Sequence, residues 1–246
     1  MARRQTKLAA PYLRNVRVAD PDATFPEGYP FTLPWLTPDF EMAFNQPVTI
    51  LMGENGSGKS TLLEALAVLA GFHTSGGGAW SGGALSDQSG DPSALAARFR
   101  AGWLPKVQRG WFLKAQSFAA VSDVTAKDYL AFSHGEGFAE VVTDRMQGDG
   151  VYFLDEPEAA LSPRRQAELL KFLASIQNDG SAQVIMATHS PILMAVPDAS
   201  LLRITRHGIE ETKLRDTDHF RLWSAFGHDP EGFVAAALSG DLENLI

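Results

Sequence analysis

Residues 53–61 read Gly53-Glu54-Asn55-Gly56-Ser57-Gly58-Lys59-Ser60-Thr61, a segment that satisfies the pattern GxxxxGK[ST]. Before it stands the apolar, partly β-branched run VTILM at 48–52, which suits a buried strand. After it, Leu62, Leu63, Ala65, Leu66, Leu69 and Ala70 give a predicted helix over 59–72 with a broad apolar surface. Strand, glycine-rich turn and helix in that order assign each residue a task. Gly53, Gly56 and Gly58 let the backbone turn tightly and aim successive N–H groups inward, and the helix adds the positive end of its dipole. Lys59 brings a point charge to the same β- and γ-phosphate oxygens, and the Ser60 hydroxyl is a ligand for Mg²⁺. Glu54, Asn55, Ser57 and Thr61 complete the candidate cradle. The alternative, a glycine-rich turn with a solvated lysine, leaves the flanking strand and helix as coincidence.

Working outward, two further segments repeat the design of an apolar strand that delivers polar groups to its C-terminal end, where open α/β sheets bind ligands. Val151-Tyr152-Phe153-Leu154 ends in Asp155-Glu156. Asp155 is placed to hold Mg²⁺ through its water shell, and Glu156 to orient and deprotonate an attacking water. Val184-Ile185-Met186-Ala187 ends in Thr188-His189-Ser190-Pro191, and a histidine there can bond a γ-phosphate. In isolation a charged turn or a satisfied loop histidine would look the same; downstream of a phosphate loop these readings lose ground.

The rest of the chain supplies the frame. Residues 12–18 read as a strand, and Phe40, Met42 and Phe44 alternate as on a strand with one buried face. Between them, residues 21–38 carry five prolines and are expected to wander over the surface. Residues 71–91 hold seven glycines and four serines, the composition of a loop. Residues 94–101 look helical and 111–115 look like a strand. A second long helix is expected after Ser162, its N-cap, with Pro163 at the first helical position and Leu169, Leu170, Phe172, Leu173 and Ile176 as the buried stripe. Residues 201–204 and 209–212 resemble a hairpin across Arg206-His207-Gly208, and short helices are expected around Phe220, Trp223, Phe226 and Phe233. Alternating strands and helices indicate an α/β fold with a mainly parallel central sheet.

Composition bounds the function. The 246 residues carry 21 Lys and Arg against 29 Asp and Glu, a net charge of −8, which argues against coating nucleic acid or anionic membrane by bulk charge. There are no cysteines, so disulfides and thiolate metal sites are excluded. The longest strongly apolar stretch, 65–72, falls far short of a spanning helix, and no apolar block follows Arg3 and Arg4, so a cytoplasmic protein without membrane insertion is expected. Basic residues are scattered: Arg3, Arg4, Lys7, Arg14 and Arg17, then Arg98, Arg100, Lys106 and Arg109. Tyr12, Tyr29, Phe31 and Trp35 precede the phosphate loop and would each serve equally to stack on a base or to pack.

With its three motifs in this order, the chain resembles the ATP-binding-cassette (ABC) class of P-loop ATPases over residues 48–195, and specifically small soluble ATPases related to the recombination and chromosome-maintenance branch. Leu154-Asp155-Glu156-Pro157 looks like the family's Walker B with its catalytic glutamate, residues 158–162 fall at its D-loop, and 188–191 look like its switch-histidine loop. Gln116 falls where the family has the glutamine that senses Mg²⁺ and the attacking water. Phe132-Ser133-His134-Gly135-Glu136 aligns with the signature Leu-Ser-Gly-Gly-Gln, His134 standing for a glycine and Glu136 for the glutamine. The resemblance implies one domain, with a core at 1–72 and 150–246 and an inserted helical lobe at about 92–149 holding Gln116 and the signature. It implies Mg²⁺-dependent ATP hydrolysis in an ATP-driven homodimer, with Ser133 and Gly135 closing over the partner's γ-phosphate. The partner beyond the second copy is open: a protein, a nucleic acid, or a separate membrane permease if the chain is a transporter subunit. A P-loop kinase for a small metabolite would leave His189 and Ser133 without roles.

Overall fold

Val48–Met52, which leads into the glycine-rich turn, is the strand β3 of a seven-stranded sheet, and all five of its residues are buried. The structure, a computed structural model, describes residues 8–74, 76–78, 91–115, 142, 144–146 and 148–245. In chain order its strands are β1 (Leu13–Val18), β2 (Glu41–Ala43), β3, β4 (Gly77–Gly78), β5 (Phe99–Trp103), β6 (Gly110–Lys114), β7 (Val151–Asp155), β8 (Gln183–Ala187), β9 (Ser200–Thr205) and β10 (Gly208–Glu211). The described α-helices are α1 (Lys59–Leu69), α2 (Pro92–Ala97), α3 (Pro163–Asp179), α4 (Asp218–His228) and α5 (Pro230–Ser239).

The main sheet runs β10-β9-β3-β8-β7-β6-β4. Strands β9, β3, β8, β7 and β6 are parallel, while β10 and β4 pair antiparallel at the edges. The three central strands β3, β8 and β7 are buried on both faces, and side chains of the parallel strands divide by period two between two cores. Leu51, Phe153, Ile185, Ala187, Leu202 and Ile204 face a core shared with α1, α2 and a small antiparallel sheet of order β2-β1-β5. Val48, Ile50, Tyr152, Leu154, Val184 and Met186 face the other way, against Leu169, Leu173 and Ile176 of α3.

Buried glutamine amides stitch these layers. Gln183 Oε1 accepts from the backbone N–H groups of Tyr12 and Leu13 at 2.8 and 2.7 Å, and its Nε2 donates to the Leu13 carbonyl at 3.0 Å, tying β1 to β8. Gln177 on α3 accepts from the Val48 N–H at 2.9 Å and donates to the Asp198 carbonyl at 2.7 Å. The Ser162 hydroxyl accepts from the Arg165 N–H at the start of α3, where Pro163 takes the first position, and Gly180 ends the helix in the left-handed region.

Two expectations are corrected. The helix expected over 94–101 stops at Ala97, and Phe99–Trp103 is strand β5, pairing with β1 so that Arg100 faces Arg17 and Phe99 faces Val18. Ala and Leu made the segment look helical, but the open edge of β1 supplies ladder hydrogen bonds that local propensity does not register. The proline-rich segment 21–38 is also more than a surface loop. Turns at 28–36 bury Phe31, Leu33, Trp35 and Leu36 in the core with α1, because proline interrupts a ladder without preventing its neighbours from packing. Gln116 and residues 132–136 lie outside the described residues, as do 79–90 of the glycine-rich segment.

Candidate active site

The strand order puts β8 between β3, which carries the phosphate loop, and β7, which carries the acids. The groups of 53–61, 155–156 and 188–190 therefore meet at the C-terminal edge of three adjacent strands. Gly53, Gly56 and Gly58 have φ of 154°, 79° and 90°. The need for glycine is steric as well as conformational: a Cβ at Gly58 would stand 2.8 Å from Leu33 Cδ2 and 2.9 Å from Trp35 Nε1. Trp35 in turn donates its indole N–H to the Ser57 carbonyl at 2.8 Å, so the proline-rich segment braces the loop from behind. Tyr29 reaches the same region, its hydroxyl meeting that of Thr61.

Lys59 is buried, and its ammonium donates to the carbonyls of Gly53 and Glu54, both at 2.9 Å. Burial pushes its pKa down, opposed by the fields of Glu156, Asp155 and Glu158, which favour the charged form. The Ser60 hydroxyl donates to Asp155 Oδ1 at 2.9 Å, joining the loop to the end of β7. Burial pushes the Asp155 carboxyl up to about 6, against the Ser60 hydrogen bond and the Lys114 charge, which lower it. Glu156 sits in the left-handed region, with φ 48° and ψ 52°, and its N–H donates to the Ala187 carbonyl at 2.9 Å. A non-glycine residue there stores about 1 kcal/mol of strain, and the turn sets the Glu156 carboxylate 3.8 Å from His189 Nε2.

The histidine loop is held by residues whose roles sequence spacing does not reveal. Glu158 spans it with both oxygens, accepting from the Thr188 hydroxyl at 2.7 Å and the His189 N–H at 2.5 Å. Gln166 of α3 accepts from the Ser190 hydroxyl at 2.6 Å while donating to the Leu161 carbonyl at 2.9 Å. His219, near the start of α4, meets His189 Nδ1 through its Nε2 at 3.2 Å. Burial, and secondarily the Lys59 charge, lowers the pKa of both histidines. These partners lie roughly thirty residues apart in the chain, and only the strand order brings them together.

A cavity of about 840 Å³ opens on the loop. Residues 53–57 form one side, 203–207 at the end of β9 and the turn into β10 form another, and Asp218, His219, Leu222 and Trp223 of α4 close it. Among the candidate base-stacking aromatics, Tyr12, Phe31 and Trp35 are core residues; Tyr29 is exposed.

The residues fit a magnesium nucleoside triphosphate. Ser57 Oγ and His189 Nε2 are buried and have no hydrogen-bond partner among the described residues, and both belong to loops facing this edge. α1 carries no acidic residue in its first turn, so its N-terminal amides are left for an anion. Ser60 and Asp155 form the hydroxyl and carboxylate pair that would hold Mg²⁺ together with phosphate oxygens.

Strand order, phosphate loop and acidic strand end define a P-loop nucleoside triphosphatase. Residues 138–195 match the family described as "AAA domain, putative AbiEii toxin, Type IV TA system", and residues 36–89 match a second AAA-domain family. The hemin import ATP-binding protein HmuV of Burkholderia thailandensis is 30% identical over 194 residues, covering 60% of this chain and 70% of its own. The thiamine import ATP-binding protein ThiQ of a Chelativorans species is 31% identical over 175 residues, covering 58% of this chain and 67% of its own. Among solved structures, cbiO1 from Clostridium perfringens, described as part of an ABC transporter complex, aligns over 92% of this chain and 99% of its own with a TM-score of 0.48 at 16% identity. The chain belongs to the ABC-type P-loop ATPases.

Proposed function

We propose that the protein is a cytoplasmic, Mg²⁺-dependent ATPase in which ATP binding favours a closed homodimer and hydrolysis releases it. The observation that carries this reading is the convergence on one sheet edge of Lys59, the Ser60–Asp155 pair and the Glu156–His189 pair, His189 Nε2 having no hydrogen-bond partner among the described residues. The loop amides and Lys59 bind the β- and γ-phosphates. Ser60 and Asp155 would hold Mg²⁺, which would neutralise the negative charge that develops on the phosphates. Glu156 takes a proton from the attacking water, whose oxygen bonds to the γ-phosphorus as the bond to the β–γ bridging oxygen breaks, giving ADP and inorganic phosphate. His189 donates from Nε2 to a γ-phosphate oxygen and faces the Glu156 carboxylate on the same side. Gln116 is assigned to sensing Mg²⁺ and the attacking water, and Ser133 and Gly135 to the partner's γ-phosphate; these assignments rest on the family resemblance.

The test is Glu156→Gln. ATP binding should persist, hydrolysis should fall by about two orders of magnitude or more, and ATP should shift the variant to dimer on size-exclusion chromatography. A variant that stays monomeric with saturating ATP would refute the dimer switch.

The names of the two relatives favour a second reading, an ATP-binding subunit of an importer that docks a separate permease. Among the described residues no helix is long and apolar enough to cross a membrane, so the permease would be another chain. Recovery of the tagged protein from detergent-solubilised membranes together with a polytopic protein would support it; recovery from the soluble fraction alone favours the free switch.

A further inference from the structure

We infer that His219 is a positioning residue for hydrolysis: its Nε2–H donates to His189 Nδ1, which fixes His189 as the Nε2–H tautomer with its one proton aimed at the γ-phosphate side. The inference rests on the ATPase reading for its consequence, but not for its geometry. His189 Nδ1 and His219 Nε2 are 3.2 Å apart, with the rings tilted by 38°, so one nitrogen must donate and the other accept. The far side of His189 settles which. Its Nε2 lies 3.8 Å from Glu156 Oε1, an acceptor, and has no hydrogen-bond partner among the described residues. A bare Nε2 lone pair facing a carboxylate and, in the nucleotide complex, a phosphate oxygen would be repelled by both. Nε2 therefore carries the proton, Nδ1 accepts, and the proton between the rings belongs to His219. Burial and the nearby Lys59 charge disfavour the imidazolium at both rings, in keeping with a neutral pair.

The backbone holds each ring in place. The His189 N–H is tied to Glu158 Oε1 at 2.5 Å. His219 follows the α4 N-cap Thr217, a fully buried residue whose hydroxyl accepts from the Phe220 N–H at 3.1 Å and donates to the Leu214 carbonyl at 2.7 Å. His219 also lines the cavity over the phosphate loop. The start of α4 is thereby tied to the ring that would contact the γ-phosphate, so a shift of this helix would loosen or tighten the hold on His189.

The test uses uniformly ¹⁵N-labelled full-length protein without nucleotide, with imidazole tautomers read by long-range ¹H–¹⁵N correlation and His189 assigned by His189→Gln. In the wild type His189 should be singly protonated on Nε2. His219→Leu should remove the hydrogen bond accepted at Nδ1, moving that nitrogen's ¹⁵N resonance toward a free imine nitrogen, and, by freeing the ring to turn, lower kcat for ATP about 10- to 100-fold, as for outer partners that orient metal-bound histidines, with KM changed less than about threefold. His219→Gln, whose amide can still donate to Nδ1, should restore the hydrogen-bonded Nδ1 resonance and keep kcat within about threefold of wild type. An Nδ1–H His189 in the wild type overturns the inference, as does a His219→Leu variant with the wild-type His189 spectrum and kcat. If the wild type hydrolyses no ATP, the ATPase reading fails, yet the wild-type spectrum still decides the histidine pair.

Discussion

Asp155 offers a measure of the stability given up for the carboxylate proposed to hold Mg²⁺. It is 7% exposed, at the end of a strand whose five residues are all buried. Burial is the main cause of a rise in its pKa from an ordinary 3.8 to about 6, with Glu64 and Glu156 adding to it and Ser60 and Lys114 opposing. A raised carboxylate pKa means that the folded protein holds a proton the unfolded chain has released, so stability falls as pH rises between these two values. Converted at roughly 1.36 kcal/mol per pH unit, the ionised carboxylate costs about 3 kcal/mol at pH 7.5. Asp155→Asn removes the charge and keeps an acceptor for the Ser60 hydroxyl, although the new amide N–H₂ needs acceptors of its own. The variant should therefore be more stable than wild type by about 1–3 kcal/mol at pH 7.5 without metal or nucleotide, a melting point about 3–10 °C higher for a chain of this size. By pH 5 the advantage should shrink to about half. Thermal melts in EDTA at the two pH values provide the assay, and adding Mg²⁺ and ATP should raise the wild-type melting point while leaving the variant nearly unchanged. A variant less stable than wild type at pH 7.5, or a gap that does not change with pH, would refute the reasoning.

Other perturbations probe the frame. Gly58→Ala forces a Cβ into Leu33 Cδ2 and Trp35 Nε1 at a φ of 90°, and should cost about 2 kcal/mol or more in urea unfolding and abolish retention of ATP on gel filtration. Gln183→Leu leaves the N–H groups of Tyr12 and Leu13 and the Leu13 carbonyl without their buried partner. It should cost about 3 kcal/mol and speed hydrogen exchange in β1 ahead of β7 and β8; equal protection in all three strands would show that the two sheets unfold as one unit regardless of this side chain.

Much of the candidate site was legible because, within each motif, its residues lie close together in the chain. The turn at 53–61 is specified by glycines, a lysine and a hydroxyl over nine consecutive residues, and the acids and histidine each follow directly on an apolar strand. The Ser162-Pro163 helix start and the 205–208 hairpin were readable for the same reason: backbone preference over a few residues decides them. Strand β5 was misread because its hydrogen-bond partner, β1, lies more than eighty residues earlier. The basic residues illustrate the same limit. On the small sheet, pairing sets Arg17 between Arg100 and Glu41, a juxtaposition that spacing along the chain does not suggest.

The amino-acid sequence by itself determined a glycine-rich turn carrying one lysine and a hydroxyl between a strand and a helix, and carboxylates at the end of another strand, because each of these is a contiguous backbone device. Only the tertiary structure decided what steadies them. Trp35 behind the loop, Glu158 and Gln166 on the histidine segment and His219 against His189 are single side chains with no signature of their own. They acquire roles because strand order places β8 between β3 and β7, bringing elements distant in the chain within hydrogen-bonding reach of one sheet edge.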